Sequence, residues 1–201
     1  MEIVSISNLP QETLDVIVSI HQDAFPTFFL TSLGPKFLKL MYQCHMEHKA
    51  SDILVAIENS VPIGFLAYSE DMSDLYSYML KRHGFYFALY SIIPFLKNPI
   101  ILPRLLRAFL KPKEAKQLDK YIYLASAGVT PKIQSKGTYS SILNTILQKY
   151  KDSDFQYIIG DTDVGNGPIN HIYHKFGFNI YKQYETPEGR PMYEQRYYFN
   201  T

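Results

Sequence analysis

The stretch VTPKIQSKG at residues 129–137 decides the fold of this chain. It follows an apolar, strand-like run at residues 121–129 and precedes a helix-like run at residues 138–151. A loop that leads from a strand into a helix presents several backbone N–H groups at the helix start, and such groups bind anions. The stretch therefore predicts a loop that can hold a pyrophosphate.

A second block, at residues 166–178, supplies a candidate proton donor. It begins with Asn166 and places Tyr173 on a short predicted helix. Gly177 follows, and glycine is the residue type favoured where a helix ends in a left-handed conformation. The block therefore predicts a phenol that a short, capped helix holds in a fixed position.

Together the two blocks resemble the GNAT superfamily, the Gcn5-related N-acetyltransferases. The cofactor loop of that family reads Gln/Arg-x-x-Gly-x-Gly/Ala, and its later segment reads Asn-x-x-Ala-x-x-x-Tyr-x-Lys-x-Gly-Phe. At the corresponding positions this chain has Gln134, Gly137, Tyr139, Asn166, Ile169, Tyr173, Lys175, Gly177 and Phe178. It departs from the family at Tyr139 and Ile169, where the family has small residues.

The resemblance implies an α/β fold with a mixed central β-sheet flanked by helices. It also implies an acyl-CoA-dependent N-acyltransferase with acetyl-CoA as cosubstrate. In such an enzyme the main chain near Val129 would pair with the pantetheine arm, and Asn166 would bond to the cofactor near its thioester. The loop and helix start would contact the pyrophosphate through Gln134, Ser135, Lys136, Gly137, Thr138 and Tyr139. Lys132 and Lys136 add positive charge there.

The order of predicted elements along the rest of the chain favours the same class of fold. The first half of the chain predicts a strand at 2–6, a helix at 11–25, a helix with Pro35 near its first turn, and a hairpin of strands at 53–57 and 63–68. From residue 119, strands and helices alternate, and the chain ends with strands at 179–185 and 192–199. Such alternation predicts one domain over residues 1–201, with a mixed sheet and helices on its faces.

A helical insertion is predicted at residues 73–117. It carries eight lysines and arginines against Asp74 and Glu114, which gives it a net charge of +6. Aromatic and apolar runs lie at residues 85–87 and 92–96. Such a segment fits an anionic membrane surface or a phosphorylated or lipid-linked acceptor. It also fits an ordinary helical cover that packs on the sheet or on a second subunit, so peripheral membrane contact and a homodimer both stay open.

The composition narrows the class of protein and its compartment. The 20 lysines and arginines against 19 acidic residues leave a net charge of +1, so no nucleic-acid partner is predicted. Cys44 is the only cysteine, which excludes an intramolecular disulfide and favours a reducing compartment. The N-terminus does not resemble a signal peptide, and the nearly apolar stretch at residues 85–96 is too short to span a bilayer. We therefore expect a cytoplasmic protein without a transmembrane span.

Tyr173 is the predicted general acid. Transfer of an acyl group from a thioester to an amine needs a proton for the departing thiolate. A tyrosine with a pKa of about 10 is protonated at neutral pH, whereas a thiol has a pKa of about 8.5. The alternative is a core tyrosine that packs beneath Phe176 and Phe178.

The general base is harder to identify, because the predicted strand at residues 121–129 contains no carboxylate or histidine. The candidates are Asp161, Asp163, His21, Glu70 with Asp71, and Ser126 as a relay through water. Asp163 is favoured, because the residues that follow it bring it near the Asn166 turn. Its alternative role is to stabilise that turn through a side-chain hydrogen bond.

No metal site is predicted. Cys44, His45 and His48 lie close together on a predicted helix, and His171 and His174 are near each other, but neither group supplies enough ligands. The absence of a suitably placed cysteine nucleophile favours direct attack by the amine on the thioester.

The acceptor is expected to be a small-molecule amine, with an amino sugar as the first choice and a polyamine or antibiotic-like amine behind it. Aromatic residues at 25–31 are candidates to line its pocket, although they also fit a seal between two helices and the sheet. The alternative function is a non-catalytic or CoA-binding module that acts through the basic aromatic insertion on a membrane or protein partner.

Overall fold

A mixed seven-stranded sheet forms the centre of the molecule in the computed structural model, which describes residues 1–99, 120–134 and 136–199. The strands are β1 (Glu2–Ser5), β2 (Ser51–Glu58), β3 (Val61–Ser69), β4 (Tyr121–Val129), β5 (Tyr157–Asp163), β6 (Asn179–Glu185) and β7 (Pro191–Tyr198). They lie in the order β1-β2-β3-β4-β5-β7-β6. Within this sheet only β4 and β5 are parallel neighbours. The predicted mixed α/β fold is confirmed.

Helices cover both faces of the sheet. They are α1 (Thr13–Ala24), α2 (Phe29–Ser32), α3 (Pro35–Glu47), α4 (Met72–Lys97), α5 (Thr138–Tyr150) and α6 (Gly167–Lys175). Alternate residues of a strand point to opposite faces. In β2, Ile53 and Val55 belong to the core cluster of α1, α3 and α4, whereas Leu54 and Ala56 belong to that of α5 and α6. The centre of the sheet is therefore buried on both sides.

The apolar faces of α1 and α3 are buried. They consist of Leu14, Ile17, Val18 and His21 in α1, and Phe37, Leu38, Met41 and Tyr42 in α3. Pro35 occupies the first turn of α3, where its missing N–H breaks no helical hydrogen bond. Each large apolar side chain that is fully buried contributes about 1.5–3 kcal/mol, so these two faces fix the helices on the sheet.

The hairpin of β2 and β3 is longer than its predicted strands at 53–57 and 63–68. Its turn residues, Asn59 and Ser60, have φ angles of 50° and 63°. Positive φ at both central residues matches the twist of the flanking strands. The pairing of β2 with β3 therefore extends past the buried residues as far as the turn, where Glu58 lies opposite Val61.

β4 and β5 separate along their length. Their pairing joins Tyr121–Leu124 to Tyr157–Gly160 and ends there, although both strands continue. β3 stays paired with β4 as far as Val129, across a bulge that leaves Ala125 without an opposite residue. A bulge bends a strand and increases its twist. We call the resulting opening between the strands the β4–β5 split.

α4 forms the first part of the predicted insertion at residues 73–117. Asp71 caps it by accepting a hydrogen bond from the N–H of Asp74. Pro94 lies in its last turn. Residues 100–119, which contain five of the eight cations of the insertion, lie outside the described residues. No described helix, α4 included, is apolar enough over a sufficient length to cross a bilayer.

Candidate active site

The loop between β4 and α5 leads directly into a helix start. Pro131–Ile133 form a 3-10 turn, and Gly137 precedes α5 with φ of 84° and ψ of 2°. This left-handed conformation suits glycine, which has no Cβ. A Cβ added at Gly137 would meet no atom within 4 Å, so the space beside the loop is open. The N–H groups in the first turn of α5 have no acceptor within the helix and can bind an anion.

The same loop also carries cationic and hydrogen-bonding side chains. Lys132 and Lys136 are exposed on it. Gln134 donates a hydrogen bond from Nε2 to the carbonyl oxygen of Val129 at 3.1 Å, which closes the loop onto the end of β4. Ser135 lies outside the described residues. The positive charges and the free helix N–H groups fit a diphosphate.

Tyr173 lies at the β4–β5 split. Its side chain is only 3% exposed, and its ring stacks on Phe178 with the ring centroids 4.5 Å apart. A Cβ added at Gly160 would overlap the Tyr173 hydroxyl. Gly160 is the last residue of β5 that pairs with β4, so it leaves the hydroxyl room at the point where the strands separate. The stacking on Phe178 fits the alternative role of Tyr173 as a core residue. The position of its hydroxyl at the split fits the predicted role as general acid.

Tyr139, a predicted cofactor contact, is a direct neighbour of Tyr173, which the sequence did not predict. Its hydroxyl donates a hydrogen bond to the Tyr173 hydroxyl at 3.1 Å, and its ring is also buried. Burial raises the pKa of Tyr173 to about 12, and the hydrogen bond from Tyr139 works against that shift. Because the Tyr173 oxygen accepts this bond, its own O–H can be donated elsewhere.

Asp161 lies next to Gly160 on the opposite face of the sheet from Tyr173. Its Oδ2 accepts hydrogen bonds from the Tyr123 hydroxyl at 2.7 Å and from the Tyr184 hydroxyl at 3.0 Å. Burial, with the Asp161 charge, raises the pKa of both of these phenols, which keeps them protonated as donors. Tyr123 and Asp161 lie on the same face of the sheet, which follows from the alternation of side chains along each strand once the register of β4 and β5 is known.

Asp163 lies at the end of β5 and has different partners. Its Oδ2 is 3.1 Å from Nη2 of Arg190, and its Oδ1 accepts a hydrogen bond from the N–H of Gly165 at 2.8 Å. The bond to Gly165 is the turn-stabilising contact that was the alternative role of Asp163. The guanidinium of Arg190 also lies over the ring of Phe28, with 4.8 Å to the centroid. Asp163 therefore joins the end of β5 to the turn between β6 and β7.

His21 and Ser126 belong to one buried chain of hydrogen bonds. His21 Nδ1 is 2.6 Å from the Tyr42 hydroxyl, which is 3.0 Å from the hydroxyl of Ser126 on β4. Burial lowers the pKa of His21 to about 4. The imidazole is therefore neutral at neutral pH and is a weak base.

Three other predicted residues have structural partners. Glu70 accepts a hydrogen bond from the Tyr150 hydroxyl at 2.5 Å, and Asp71 caps α4. Both follow the end of β3 that pairs with the start of β4, and they lie away from the split. Asn166 caps α6 by accepting a hydrogen bond from the N–H of Ile169 at 3.4 Å. Its predicted contact with the cofactor stays a prediction.

His45 and His48, from one of the two groups considered as metal ligands, have protein partners. His45 Nδ1 is 3.0 Å from the carbonyl oxygen of Met41. His48 lies between Ser51 and Asp74, at 2.9 and 3.1 Å. Over the described ranges, no group of three or more histidine, cysteine, aspartate or glutamate side chains is arranged to hold a metal ion.

No family model matches the sequence, and no curated protein matches it. Solved structures nevertheless match it over nearly its whole length. An N-acetyltransferase from Staphylococcus aureus Mu50 is 14% identical, with a TM-score of 0.63 over 99% of this chain and 98% of its own. The ribosomal-protein-S18-alanine N-acetyltransferase of Escherichia coli is 13% identical, with a TM-score of 0.61 over 100% of this chain and 94% of its own.

A third structure contains a ligand. Arabidopsis thaliana NAA60 in complex with acetyl-CoA is 14% identical, with a TM-score of 0.63 over 100% of this chain and 99% of the other. At such identities the likeness establishes the fold. The chain has the fold of the GNAT N-acetyltransferases, as its sequence predicts.

Proposed function

We propose that this protein is an acyl-CoA-dependent N-acyltransferase that transfers an acetyl group from acetyl-CoA to a primary amine. The observation that carries the proposal is the β4–β5 split, which has an anion-binding helix start at one end and the Tyr173 hydroxyl beside Gly160. The acetyl-CoA complex of a protein with the same fold supports the choice of cosubstrate.

The cosubstrate would bind along the split. Its diphosphate would lie against the N–H groups at the start of α5, where each favourable interaction is worth about 0.3–1 kcal/mol. Its pantetheine arm carries amide groups, and residues 125–129 of β4 are not paired with β5. An extended chain can therefore bind there as an added strand. The proposed contacts are Val129, Gln134, Ser135, Lys136, Gly137, Thr138, Tyr139 and Asn166.

Tyr173 would be the general acid. In the reaction the amine nitrogen bonds to the acyl carbon and gives up a proton to the general base, the carbon–sulfur bond breaks, and the thiolate takes a proton from Tyr173. The raised pKa of Tyr173 keeps its proton in place until negative charge develops on the sulfur. The hydrogen bond from Tyr139 would then stabilise the phenolate that forms.

A carboxylate of β5 would be the general base. Asp163 is the base that the sequence favours, but its two oxygens bond to Arg190 and Gly165. Asp161 is better supported, because it follows Gly160 at the split and is held there by two phenols. We therefore propose Asp161 as the base, with Asp163 as its direct competitor in the test.

Direct attack by the amine is supported by the state of the only cysteine. Cys44 is buried, and burial raises the pKa of its thiol to about 12. A thiol with such a pKa supplies almost no thiolate at neutral pH, so an acyl-cysteine step is disfavoured. A small-molecule amine, first of all an amino sugar, stays the proposed acceptor, and a cytoplasmic location stays a prediction.

A non-catalytic CoA-binding module is the second candidate function. The burial of Tyr173 beside Tyr139 favours it, because a thioester would have to reach a hydroxyl that is buried in this structure. Catalysis requires the Tyr173 hydroxyl to become accessible from the split when the cosubstrate binds, with its hydrogen bond from Tyr139 kept. A binding module does not require this.

Thermal unfolding with acetyl-CoA, followed by a thiol-release assay over a panel of amines, tests the proposal. Ligand at 100 times its Kd stabilises a protein by about 2.7 kcal/mol. We expect such a shift, its loss in Lys132→Glu/Lys136→Glu, and its retention in the control Lys36→Glu/Lys151→Glu. Thiol release with an amine supports the enzyme. A thermal shift without release from any amine supports the binding module, and no shift contradicts both.

A further inference from the structure

α4 is apolar on two opposite faces. One face is buried in the core and includes Phe87, whose ring centroid lies 4.9 Å from that of Phe37. The other face is exposed. Its apolar residues are Phe85, Leu89, Ile92, Ile93 and Leu96. Their spacing of three and four residues puts them on one side of a helix, and we call them the α4 stripe.

The α4 stripe is unusually exposed for its apolar content. Phe85 is 75% exposed, Ile93 is 65% exposed and Leu96 is 73% exposed. At a rise of 1.5 Å per residue, the stripe is about 17 Å long. Single exposed apolar side chains are common, but a contiguous row of them marks a surface that binds a partner or a membrane.

A basic hollow adjoins the N-terminal end of the stripe. The hollow has a volume of about 470 Å³, and its lining includes Lys49, Lys81 and Arg82. Lys81 and Arg82 precede Phe85 by about one helical turn. None of the three cations takes part in an ion pair between described residues.

The acidic residues of the hollow already have partners. Asp74 lies 3.1 Å from His48 Nε2. Glu47 accepts hydrogen bonds from the Tyr78 hydroxyl at 2.9 Å and from Gln43 at 2.6 Å. The cations of the hollow are therefore available to an anion, and Lys97 adds a cation at the other end of the stripe.

We propose that the α4 stripe docks on a membrane that contains anionic phospholipids, with lipid phosphate groups at the basic hollow. An interfacial helix lies in the membrane plane with its apolar face buried about 5–10 Å and its cations at the headgroups. The stripe has this arrangement, since its apolar side chains lie between Lys81 and Arg82 at one end and Lys97 at the other. The inference is independent of the proposed transferase activity.

A second copy of the chain fits this surface less well. A specific dimer buries roughly 800 Å² on each partner, whereas the stripe is about 17 Å long on a helix about 10 Å wide. Two copies packed through their stripes would also bring the cations at the two ends near cations of the other copy. An anionic lipid surface instead complements those charges.

Co-sedimentation of the full chain with vesicles tests the proposal. We expect binding at low salt to phosphatidylcholine vesicles that contain phosphatidylserine, and little binding to phosphatidylcholine alone. The variant Phe85→Ser/Ile93→Ser/Leu96→Ser should lower the partition coefficient by at least about tenfold. The variant Lys81→Glu/Arg82→Glu should lower it by at least roughly 30-fold, because each lost cation removes about a fivefold gain and the two new carboxylates add repulsion from the anionic surface.

Matched controls separate the stripe from general surface effects. Val61→Ser/Ile180→Ser changes two apolar residues that are each 55% exposed elsewhere, and it should leave binding unchanged. Lys36→Glu/Lys151→Glu is the charge control and should reduce binding far less than the change at Lys81 and Arg82.

Several results would overturn the proposal. These are no binding to anionic vesicles at low salt, equal binding to both vesicle types, or unchanged binding of the stripe variant. A dimer that the stripe variant abolishes would assign the surface to a second copy. A fall of several degrees in the Tm of the stripe variant would mean that the chain itself covers the stripe.

Discussion

The two sides of the β4–β5 split hold tyrosine hydroxyls in opposite arrangements. On the side of α5 and α6, the Tyr173 oxygen accepts a hydrogen bond from Tyr139, and its ring stacks on Phe178. On the side of α4, Tyr123 and Tyr184 both donate to the carboxylate of Asp161. One side therefore keeps a proton, and the other stabilises a negative charge.

This difference is the basis on which we propose an acid on one side of the split and a base on the other. Burial disfavours the charged form of any acid, which accounts for the raised pKa of Tyr173. On the other side, two hydroxyl donors hold one oxygen of the Asp161 carboxylate in place. Because Gly160 and Asp161 are neighbours on β5, the two arrangements lie at the same level of the split.

The substitution with the largest expected effect on catalysis removes the carboxylate charge of Asp161, on the α4 side of the split. Asp161→Asn should lower kcat/KM by roughly 100-fold, since general acid–base groups contribute between about 10² and 10⁴ in rate. Steady-state kinetics with the amine found by thiol release measures the effect. Asp163→Asn is the control and should cost less than about threefold, with its main effect on thermal stability. A larger loss in Asp163→Asn than in Asp161→Asn would reverse the assignment.

Removing the Tyr173 hydroxyl, on the side of α5 and α6, should have the next largest effect on catalysis. Tyr173→Phe keeps the ring that stacks on Phe178, so it should lower kcat by at least about tenfold while the Kd for acetyl-CoA stays nearly unchanged. Tyr150→Phe removes another buried hydroxyl, from α5 at the far end of the sheet, and should leave kcat unaltered. An unchanged kcat in Tyr173→Phe would show that Tyr173 is not the general acid.

A smaller effect is expected from the phenol that donates to Tyr173. Tyr139→Phe deletes the hydrogen bond that lowers the pKa of Tyr173, so kcat should fall by about threefold, in line with a neutral hydrogen bond of about 0.5–1.5 kcal/mol. In the Tyr173→Phe background the same change should have no further effect on kcat. Additive losses in the double variant would mean that Tyr139 acts independently of Tyr173.

The smallest expected effect is on the dependence of kcat on pH in the alkaline range. A pKa of about 12 means that Tyr173 stays protonated to a higher pH than an ordinary tyrosine. The kcat profile should therefore show no descending limb near pH 10, where an unshifted phenol, with a pKa of about 10, would have lost half of its protons. Stopped assays between about pH 8 and pH 11 provide the measurement. A limb centred on the ordinary tyrosine pKa would show that the acid is not buried during turnover.

Local sequence patterns predicted the strand and the helix that border the split. The apolar run at residues 121–129 became β4 with those bounds, and the helix expected from residue 138 begins there as α5. Gly137 was singled out by its motif and adopts the left-handed conformation at the helix start. These features depend on neighbours in sequence, so periodicity and turn chemistry were sufficient to identify them.

The partners across the split depend on residues that are far apart in sequence. Tyr139 and Tyr173 are 34 residues apart, and Tyr123 and Asp161 are 38 apart. Their contacts follow from strand order and register, which local periodicity does not contain. In α4, periodicity likewise did not separate the buried face from the exposed stripe, because both faces are apolar.

A crystal structure of the protein with CoA tests the central claim most directly. We predict that the diphosphate contacts the N–H groups at the start of α5, that the pantetheine arm pairs with residues 125–129 of β4, and that the sulfur lies beside the Tyr173 hydroxyl, which still accepts the hydrogen bond from Tyr139. CoA bound elsewhere, or a Tyr173 hydroxyl out of reach of the sulfur at saturating CoA, would contradict the account.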